Sequence, residues 1–552
     1  VTELSAERRN QLQRTVKALE TDRSHWEQLF RDLEENFSPR RSRWEPSDTP
    51  AAAKVTANDG IYDGAPLYAI RVLKSGMMGG HTSPSRPWFR LITPDSDLMQ
   101  FGPVREWLYT VEQRMRTVFA RSNLYNALPV FYGDLAVYGT AAVGIYGDRQ
   151  DVVRAYPYVM GSYYAGNGAR LTINRFSRKW RTTVANAAEQ FGVEALSTSA
   201  KRSLETNNWA NPVDLCHVIQ PNPEANPRFA DARSMAYESV YWEKGFPDGK
   251  ILRREGFREL PILVARWESV GEDSYGVSPC MDALGDAKQL QFETLRAAQM
   301  IDKLSEPPWN VPSTLQNRPK STLPGGFNYV TDPSNGIRPL YEINPAAVQI
   351  LNETRIDLRN RINQALYVDM FLMLAQSDRR QITAREVEER HAEKLMLIGP
   401  VLERLSDELL DPLIDRVFRL MLEAGEIPPW PEELEASPLK IEYISILAQA
   451  QKAVARSSIE SVAGFAASLA QLNPEVLDKL DTDQAIDEYS EMLGAPPTIV
   501  RSDEAVAAIR RNRAQQAQAA QMAQMADQMA GAAQKLGNTP MGQDSALDRM
   551  TG

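Results

Sequence analysis

Leu366-Tyr367-Val368-Asp369-Met370-Phe371-Leu372-Met373-Leu374 is followed at once by Ala375-Gln376-Ser377-Asp378-Arg379-Arg380-Gln381. A dense apolar run turning abruptly into a polar, basic loop decides how the rest of the chain is read. Upstream, Leu351, Leu358, Ile362, Ala365, Leu366 and Met373 recur at spacings of three, four and seven, which predicts one long helix over 346–374. Such a helix is roughly 40 Å long at ~1.5 Å per residue. Arg355, Arg359 and Arg361 lie off that stripe, within reach of Glu353 and Asp357. The run at its end is apolar on nearly all sides, so it must be enclosed, by this chain or by other copies of it. Downstream, Thr383 and Glu386 match a capping box that opens a second helix. Gly399-Pro400 interrupts that helix and Asp411-Pro412 bends it, because proline removes a donor and clashes one turn back. Leu402, Leu405, Leu409, Leu413, Val417, Leu420 and Ala424 carry its apolar face to a stop at Gly425.

Working outward, the hairpin has a first arm. A helix over 279–304 presents Leu284, Ala287, Thr294, Ala298 and Ile301 as a narrow face of mostly small residues. Between the arms, 305–345 is rich in Pro, Gly, Asn and Ser and reads as turns with short strands. Two long helices flanking such an insertion form a hairpin with a small domain at its tip.

The N-terminal part mixes helix and strand. Residues 5–37 read as a charged helix, with Leu12, Val16, Leu19, Trp26, Leu29 and Leu33 near helical spacing and a solvated opposite face. Helices follow over 68–78, 103–121 and 123–138. Strands are expected at Val152–Tyr156 and Leu171–Phe176, with Gly166-Asn167-Gly168 as a hairpin turn. After helices near 182–206 come strands near 214–219, 235–243, 250–256 and 261–268, and the Phe246-Pro247-Asp248-Gly249 turn between two of these supports a meander. Helix and strand segregate by region, so the fold class is α+β, mainly helical, not doubly wound. Beyond the proline cluster Pro428-Pro429-Trp430-Pro431, helices are expected near 444–472, 474–492 and 502–535. The last carries Met522, Met525 and Met529 on one side. That stripe is too thin for a globular core, so the helix is either frayed or bundled with copies of itself. The tail from Leu536 reads as disordered.

Composition narrows the function classes. The 552 residues carry 62 Lys and Arg against 72 Asp and Glu, a net charge of −10, which is not the balance of a basic nucleic-acid clamp. Cys216 and Cys280 are the two cysteines, without a CxxC, so neither a disulfide framework nor a structural zinc site is supported. This suits a reducing cytoplasm. No apolar stretch approaches ~18 residues, and the N-terminus shows no signal-peptide pattern, so no membrane association is expected.

Few residues stand at spacings that carry chemistry. Gly76-Met77-Met78-Gly79-Gly80-His81 lacks the GK[ST] of a phosphate loop and reads as a helix ending in a flexible turn. The cluster Asp481, Asp483, Asp487 and Glu488 has Met492 where a calcium loop needs a glutamate, and reads as a solvated acidic face. Ser274 misses the GxSxG spacing by one residue. His25, His81, His217 and His391 are scattered. No catalytic residue, metal or cofactor is expected, and the chain does not read as an enzyme.

The stretches Gln381-Ile382-Thr383-Ala384-Arg385-Glu386-Val387, Gly399-Pro400 and Leu409-Leu410-Asp411-Pro412 resemble the head-to-tail connector, or portal, family of short-tailed bacteriophages. Further stretches agree in collinear order: Ser83-Pro84-Ser85-Arg86-Pro87-Trp88-Phe89, Tyr138-Gly139-Thr140-Ala141, Tyr275-Gly276-Val277-Ser278-Pro279, Ala448-Gln449-Ala450-Gln451 and Leu493-Gly494-Ala495-Pro496. The resemblance spans roughly 10–510. It implies a wing at 1–275, a first stem helix at 276–304, a clip at 305–345 and a second stem helix at 346–374. A tunnel loop at 375–382, a kinked wing helix at 383–430 and a crown at 431–510 follow, and the Ala/Gln/Met-rich helix and tail at 511–552 form a possible barrel.

The same resemblance implies a ring of about twelve copies of the chain. Its expected partners are transiently held double-stranded DNA, the packaging ATPase (terminase large subunit), tail adaptors, and major capsid and scaffolding proteins. Its expected place is the portal vertex of the virion, after assembly in the host cytoplasm. It sets Gln376, Ser377, Arg379 and Arg380 on a DNA channel, and Trp309, Arg318 and Lys320 on the docking tip. Each phosphate neutralised contributes a salt slope of about −0.9 in log K, so about two dozen arginines all gripping phosphate would hold DNA instead of passing it. The loop must touch DNA transiently or pair its charges, and an acidic wall lets DNA slide. The readings that compete with a ring are a helical scaffold that never closes and a nucleic-acid-processing enzyme.

Overall fold

A computed structural model describes residues 5–39, 41, 43–44, 60–95, 98, 101–226, 228–229, 231–311, 313, 337–340, 344–377, 398–434, 439–444, 462, 464–469, 481–486 and 503–537. The chain divides into two compact units. The first is Val1–Arg90, Glu112–Pro428 and Tyr443–Ser457, and the second is Leu91–Val111, Pro429–Glu442 and Ser458–Gly552.

The described elements run in the expected order, mainly helical with segregated sheets. The N-terminal helix spans Ala6–Phe37, capped by Ser5, whose side chain accepts from the Arg8 N–H. Helices Ala65–His81, Gly102–Arg121 and Leu124–Tyr138 follow, with β1 (Phe89–Ile92) among them. Then come β2 (Thr140–Asp148), β3 (Val152–Tyr158), β4 (Tyr163–Asn167), β5 (Ile173–Thr183), β6 (Pro212–Pro221), β7 (Tyr237–Glu243), β8 (Arg253–Phe257) and β9 (Ile262–Arg266). β4 to β8 form a five-stranded antiparallel meander, and β9 returns to pair with β2 in a second sheet of order β3-β2-β9.

Period-two alternation lets the meander serve two cores. Cys216, Val218, Val240 and Trp242 face Leu12 and Val16 of the N-terminal helix. Leu215 and Tyr241, one position along, face Val184, Ala187, Leu196 and Ala200 of the helices between β5 and β6. Consequently the N-terminal helix is not simply a solvated ribbon with one apolar face. Arg23 and Glu34 are buried on it, and Arg23 donates to the carbonyls of Gly161 and Tyr163. The β4–β5 turn lies at 168–172 instead of 166–168, and β5 starts at Ile173. Asn167 stays extended because its side-chain amide donates to the carbonyls of Glu272 and Asp273, tying the strand end to a neighbouring loop.

Three helix readings change. The Gly76–His81 stretch is helical throughout, not a turn. A Cβ on Gly76 would lie 2.2 Å from the Phe371 ring, so this glycine serves a close helix contact. The first hairpin helix, Leu284–Ser305, buries Ala287, Leu290, Gln291 and Ala297, while Ala298 and Ile301 face solvent. Gln291 takes the inward position because its side chain accepts from Tyr62 and Asp63 N–H and donates to Asp63 O. An apolar-spacing rule cannot see that satisfaction. The second hairpin helix is Pro345–Ala365, and the chain breaks at Tyr367 (φ 55°) before a further helix at Val368–Ser377. A straight helix would spread Leu366, Val368, Met370 and Phe371 over more than one side; the break buries all four.

Residues 398–405 are helical, Ser406–Leu410 is a π-helical turn, and Asp411–Glu423 is helical. The bend expected at Asp411-Pro412 is therefore a π turn, in which Asp411 N–H reaches back to Ser406 O. Gly425 (φ 73°) ends the helix as expected: its N–H goes to Leu422 O and that of Glu426 to Met421 O. In the second unit, Trp107 packs against Trp430 with ring centroids 4.6 Å apart and the rings tilted by 32°. The helix Asp503–Gly537 leaves Met522, Met525 and Met529 exposed. The capping box at Thr383, His391, most of the expected helices over 444–492 and the tail beyond 537 lie outside the described residues.

Two buried groups bend stability against pH in opposite directions. Burial pushes the Glu112 carboxyl up to about 7, against the pull of Arg90 and Arg116. Its contribution is intact below about 4.5 and is lost as pH rises through about 7. Burial pushes His81 down to about 4, so its contribution is intact above about 6.5 and is lost as pH falls. Glu112→Gln is expected to be more stable than wild type at pH ~8, by at most ~3 kcal/mol, and equal to it near pH ~4.5. Thermal melts of both proteins across that range check the sign.

Candidate functional site

Two features stand out: the helical hairpin with its tip, and a joint where the end of the helix Leu124–Tyr138 meets the segment that follows β9. The hairpin arms bury Ala287, Leu290, Ala297, Leu358 and Ile362, and ion pairs surround them. Arg361 bridges Asp357 at 2.6 Å on its own helix and Asp286 at 3.6 Å on the other arm. Arg359 turns away from Glu353 and Asp357 and reaches Asp63 at 2.7 Å instead. Lys288 pairs with Asp32 of the N-terminal helix at 2.6 Å. Among the polar side chains that cover most of the hairpin, Phe292 and Ile301 on one arm and Ile350 and Ile356 on the other are each about half exposed or more.

At the tip, Trp309-Asn310 pairs antiparallel with Arg338-Pro339. Trp309 is 52% exposed, with Val311 and Leu340 also exposed beside that strand pair. Arg318 and Lys320 lie outside the described residues, so the tip is seen only at its base. Gln376 and Ser377 are the final residues of the helix Val368–Ser377, and Arg379 and Arg380 lie outside the described residues.

The structure does bring two of the resemblance stretches together. Tyr138-Gly139-Thr140 and Tyr275-Gly276-Val277-Ser278 form one joint. Gly276 N–H donates to Thr140 Oγ1 at 2.7 Å, and Ser278 Oγ donates to Val137 O at 2.8 Å. Tyr138 and Tyr275 both set edges against Phe30. Beside this joint Arg266, 4% exposed, donates to the Glu408 carboxylate and to the carbonyls of Leu171 and Asp273. Sequence reading missed Arg266 and Glu408. They are far apart in the chain, and nothing local distinguishes one arginine among many.

The other candidates resolve into structure. Asp481 caps a helix, accepting from the N–H of Asp483 and Gln484, and Asp483 pairs with Arg510 at 2.6 Å. Ser274 is buried and accepts from Asn167 N–H. His217 is buried, stacked on Tyr241 at 3.7 Å and bonded to Ser239, and burial holds its pKa well below the usual value. Cys216 and Cys280 are both buried and free, with thiol pKa values raised by burial. Among the described residues, no group of three or more His, Cys, Asp or Glu is placed to hold a metal. No described helix is long and apolar enough to cross a membrane.

Among solved structures, the fold is similar to a chain from the neck of an empty gene transfer agent particle computed with C6 symmetry, at TM-score 0.40 and 12% identity over 83% of this chain and 96% of that one. A chain from the native particle's neck, computed with C12 symmetry, gives TM-score 0.38 and 12% identity over 83% and 97%. Among curated proteins, the chain is 43% identical to the portal protein of Salmonella phage epsilon15 over 98% of its own length and 97% of that protein's. It is 40% identical to the probable portal protein of Bordetella phage BPP-1 over 97% and 96%. The bacteriophage head to tail connecting protein family matches residues 9–500. By full-length identity and by that match, the chain belongs to the bacteriophage head to tail connecting protein family.

Proposed function

We propose that this chain is the portal subunit of a phage capsid. Copies close into a ring at one vertex, through which double-stranded DNA is packaged and later ejected. The observation that carries the ring is the hairpin surface. Phe292, Ile301, Ile350 and Ile356 spread across both arms and stand exposed in a single subunit. Contacts between neighbouring copies would cover them, and heterologous contacts close into a ring when the rotation closes.

In this reading the hairpin arms are the stem and 305–345 is the clip. The exposed Trp309, with Arg318 and Lys320, docks the packaging ATPase (terminase large subunit) and later a tail adaptor. Gln376, Ser377, Arg379 and Arg380 belong to the tunnel loop that touches DNA. Major capsid and scaffolding proteins surround the ring. The chain performs no chemistry, so the energy of packaging comes from the docked ATPase.

Native mass spectrometry with two-dimensional averages of stained particles tests the ring. A closed assembly of about twelve copies around a hole is expected. A stable monomer near the 61.9 kDa chain mass, also in the presence of the packaging ATPase, overturns it. Deleting 375–382 tests the loop separately, with loss of DNA retention expected; normal retention sinks its proposed role.

A further inference from the structure

Two backbone irregularities lie on either side of residues 378–397, and each meets one of two consecutive residues. On the entering side, Tyr367 holds a left-handed φ of 55°, a conformation that costs a bulky residue about 1 kcal/mol or more. Its ring lies 6.1 Å from the ring of Trp267. On the leaving side, the π turn Ser406–Leu410 carries Glu408. Glu408 accepts the Arg266 backbone N–H at 2.7 Å and the Arg266 Nε–H at 3.0 Å, with a further bond from Nη2. Arg266 and Trp267 are consecutive, at the end of β9, and both are about 95% buried. They are themselves immobilised. Trp267 N–H donates to Gly139 O at 2.9 Å, and Arg266 reaches Leu171 O at 2.8 Å and Asp273 O at 3.2 Å.

A π turn and a left-handed aromatic are both costly departures from a straight helix, and they persist where the surroundings over-determine them. Here one short piece of a rigid sheet over-determines both. We propose that Arg266 and Trp267 form a positioning seat, with the Arg266–Glu408 pair setting the angle at which the helix 398–405 leaves the β-sheet body. Arg266 and Glu408 are then positioning residues: they touch no ligand and act through the helices they orient. This pair suits the task, because Nε–H and Nη2–H of the planar guanidinium converge on Oε1 while the Arg266 backbone N–H takes Oε2, which fixes direction as well as distance. That the helix orientation governs passage of DNA rests on the portal reading above; the seat itself does not.

The experiment measures position and does not depend on that reading. Both native cysteines are buried, so spin labels can be directed to introduced cysteines in the full chain. Glu403→Cys on the exposed side of helix 398–405 is paired with Glu205→Cys on the meander side, and labelled chains are diluted into unlabelled ones. A control pair, Lys17→Cys with Glu205→Cys, spans the meander alone. In wild type both pairs give one narrow distance. With Glu408→Gln, which keeps shape and some hydrogen bonding, the 403–205 distance is expected to shift or broaden while the control stays narrow. Arg266→Lys, which keeps charge but loses the fork, is expected to do the same. If the 403–205 distance is unchanged in both variants, the seat is overturned. Equal broadening of both pairs overturns it too, because the pair then only stabilises the whole unit. DNA retention in assembled particles is read last. An altered distance with normal retention leaves the seat standing and counts against its link to DNA passage.

Discussion

Gly139→Ala is expected to abolish soluble, folded protein. Gly139 sits at φ 69° as the cap of the helix Leu124–Tyr138, and its N–H returns to Leu135 O. An L-residue there costs about 1–2 kcal/mol in backbone conformation alone. Steric overlap costs more. A Cβ would lie 2.2 Å from Gly276 O and 2.7 Å from Gly276 C, against backbone with no rotamer to yield. Relief would require separating the segments that hold the Thr140–Gly276 and Ser278–Val137 bonds and the Trp267 N–H bond to Gly139 O. The summed cost exceeds ~4 kcal/mol, which reaches the extreme of single substitutions. Gly271→Ala distinguishes backbone strain from overlap. Gly271 also has positive φ, 54°, but a Cβ there meets nothing within 4 Å. Its expected cost is about 1 kcal/mol. Equal yield and equal melting temperature for the two variants would defeat the contact argument.

Glu238→Ala is expected to cost about 3–5 kcal/mol. The Glu238 carboxylate is 1% exposed and is shared by Arg8 of the N-terminal helix, Arg254 of β8 at 3.2 Å and Gln220 of β6 at 2.7 Å. Removing it leaves two guanidinium groups, each about four-fifths buried, facing one another across an empty site. The N-terminal helix would lose one of its polar anchors to the meander, leaving the Arg23 bond to Tyr163 O, the Lys179–Glu20 pair and the Leu12 and Val16 contacts to hold it. Glu224→Ala removes the other partner of Arg254, but that carboxylate is 68% exposed, and its expected cost is below ~1 kcal/mol. Hydrogen exchange should rise along Ala6–Phe37 in Glu238→Ala and stay unchanged in Glu224→Ala. Similar exchange in both would mean that the contacts left in place, Arg23 to Tyr163 O and the Lys179–Glu20 pair among them, seat the helix without Glu238.

These outcomes bear on how the molecule is specified. Local pattern determined most elements, because helical spacing, caps and turn residues act over a few positions. The charged N-terminal helix, the Gly425 stop, the meander turn at 246–249 and the two helices of the hairpin were all legible in the chain. Collinear stretches also pointed to the family, although Gly139 and Gly276 gave no hint that they touch. What the sequence could not determine is where each polar group finds its partner across the fold. Gln291 turned inward because Asp63 awaited it, Arg359 chose Asp63 over its helical neighbours, and the expected single helix over 346–374 broke at Tyr367 to bury the residues beyond it. The seat at Arg266 and Trp267 is wholly of this kind. Its members belong to three distant stretches, and only packing brings them within hydrogen-bond and ring-contact distance.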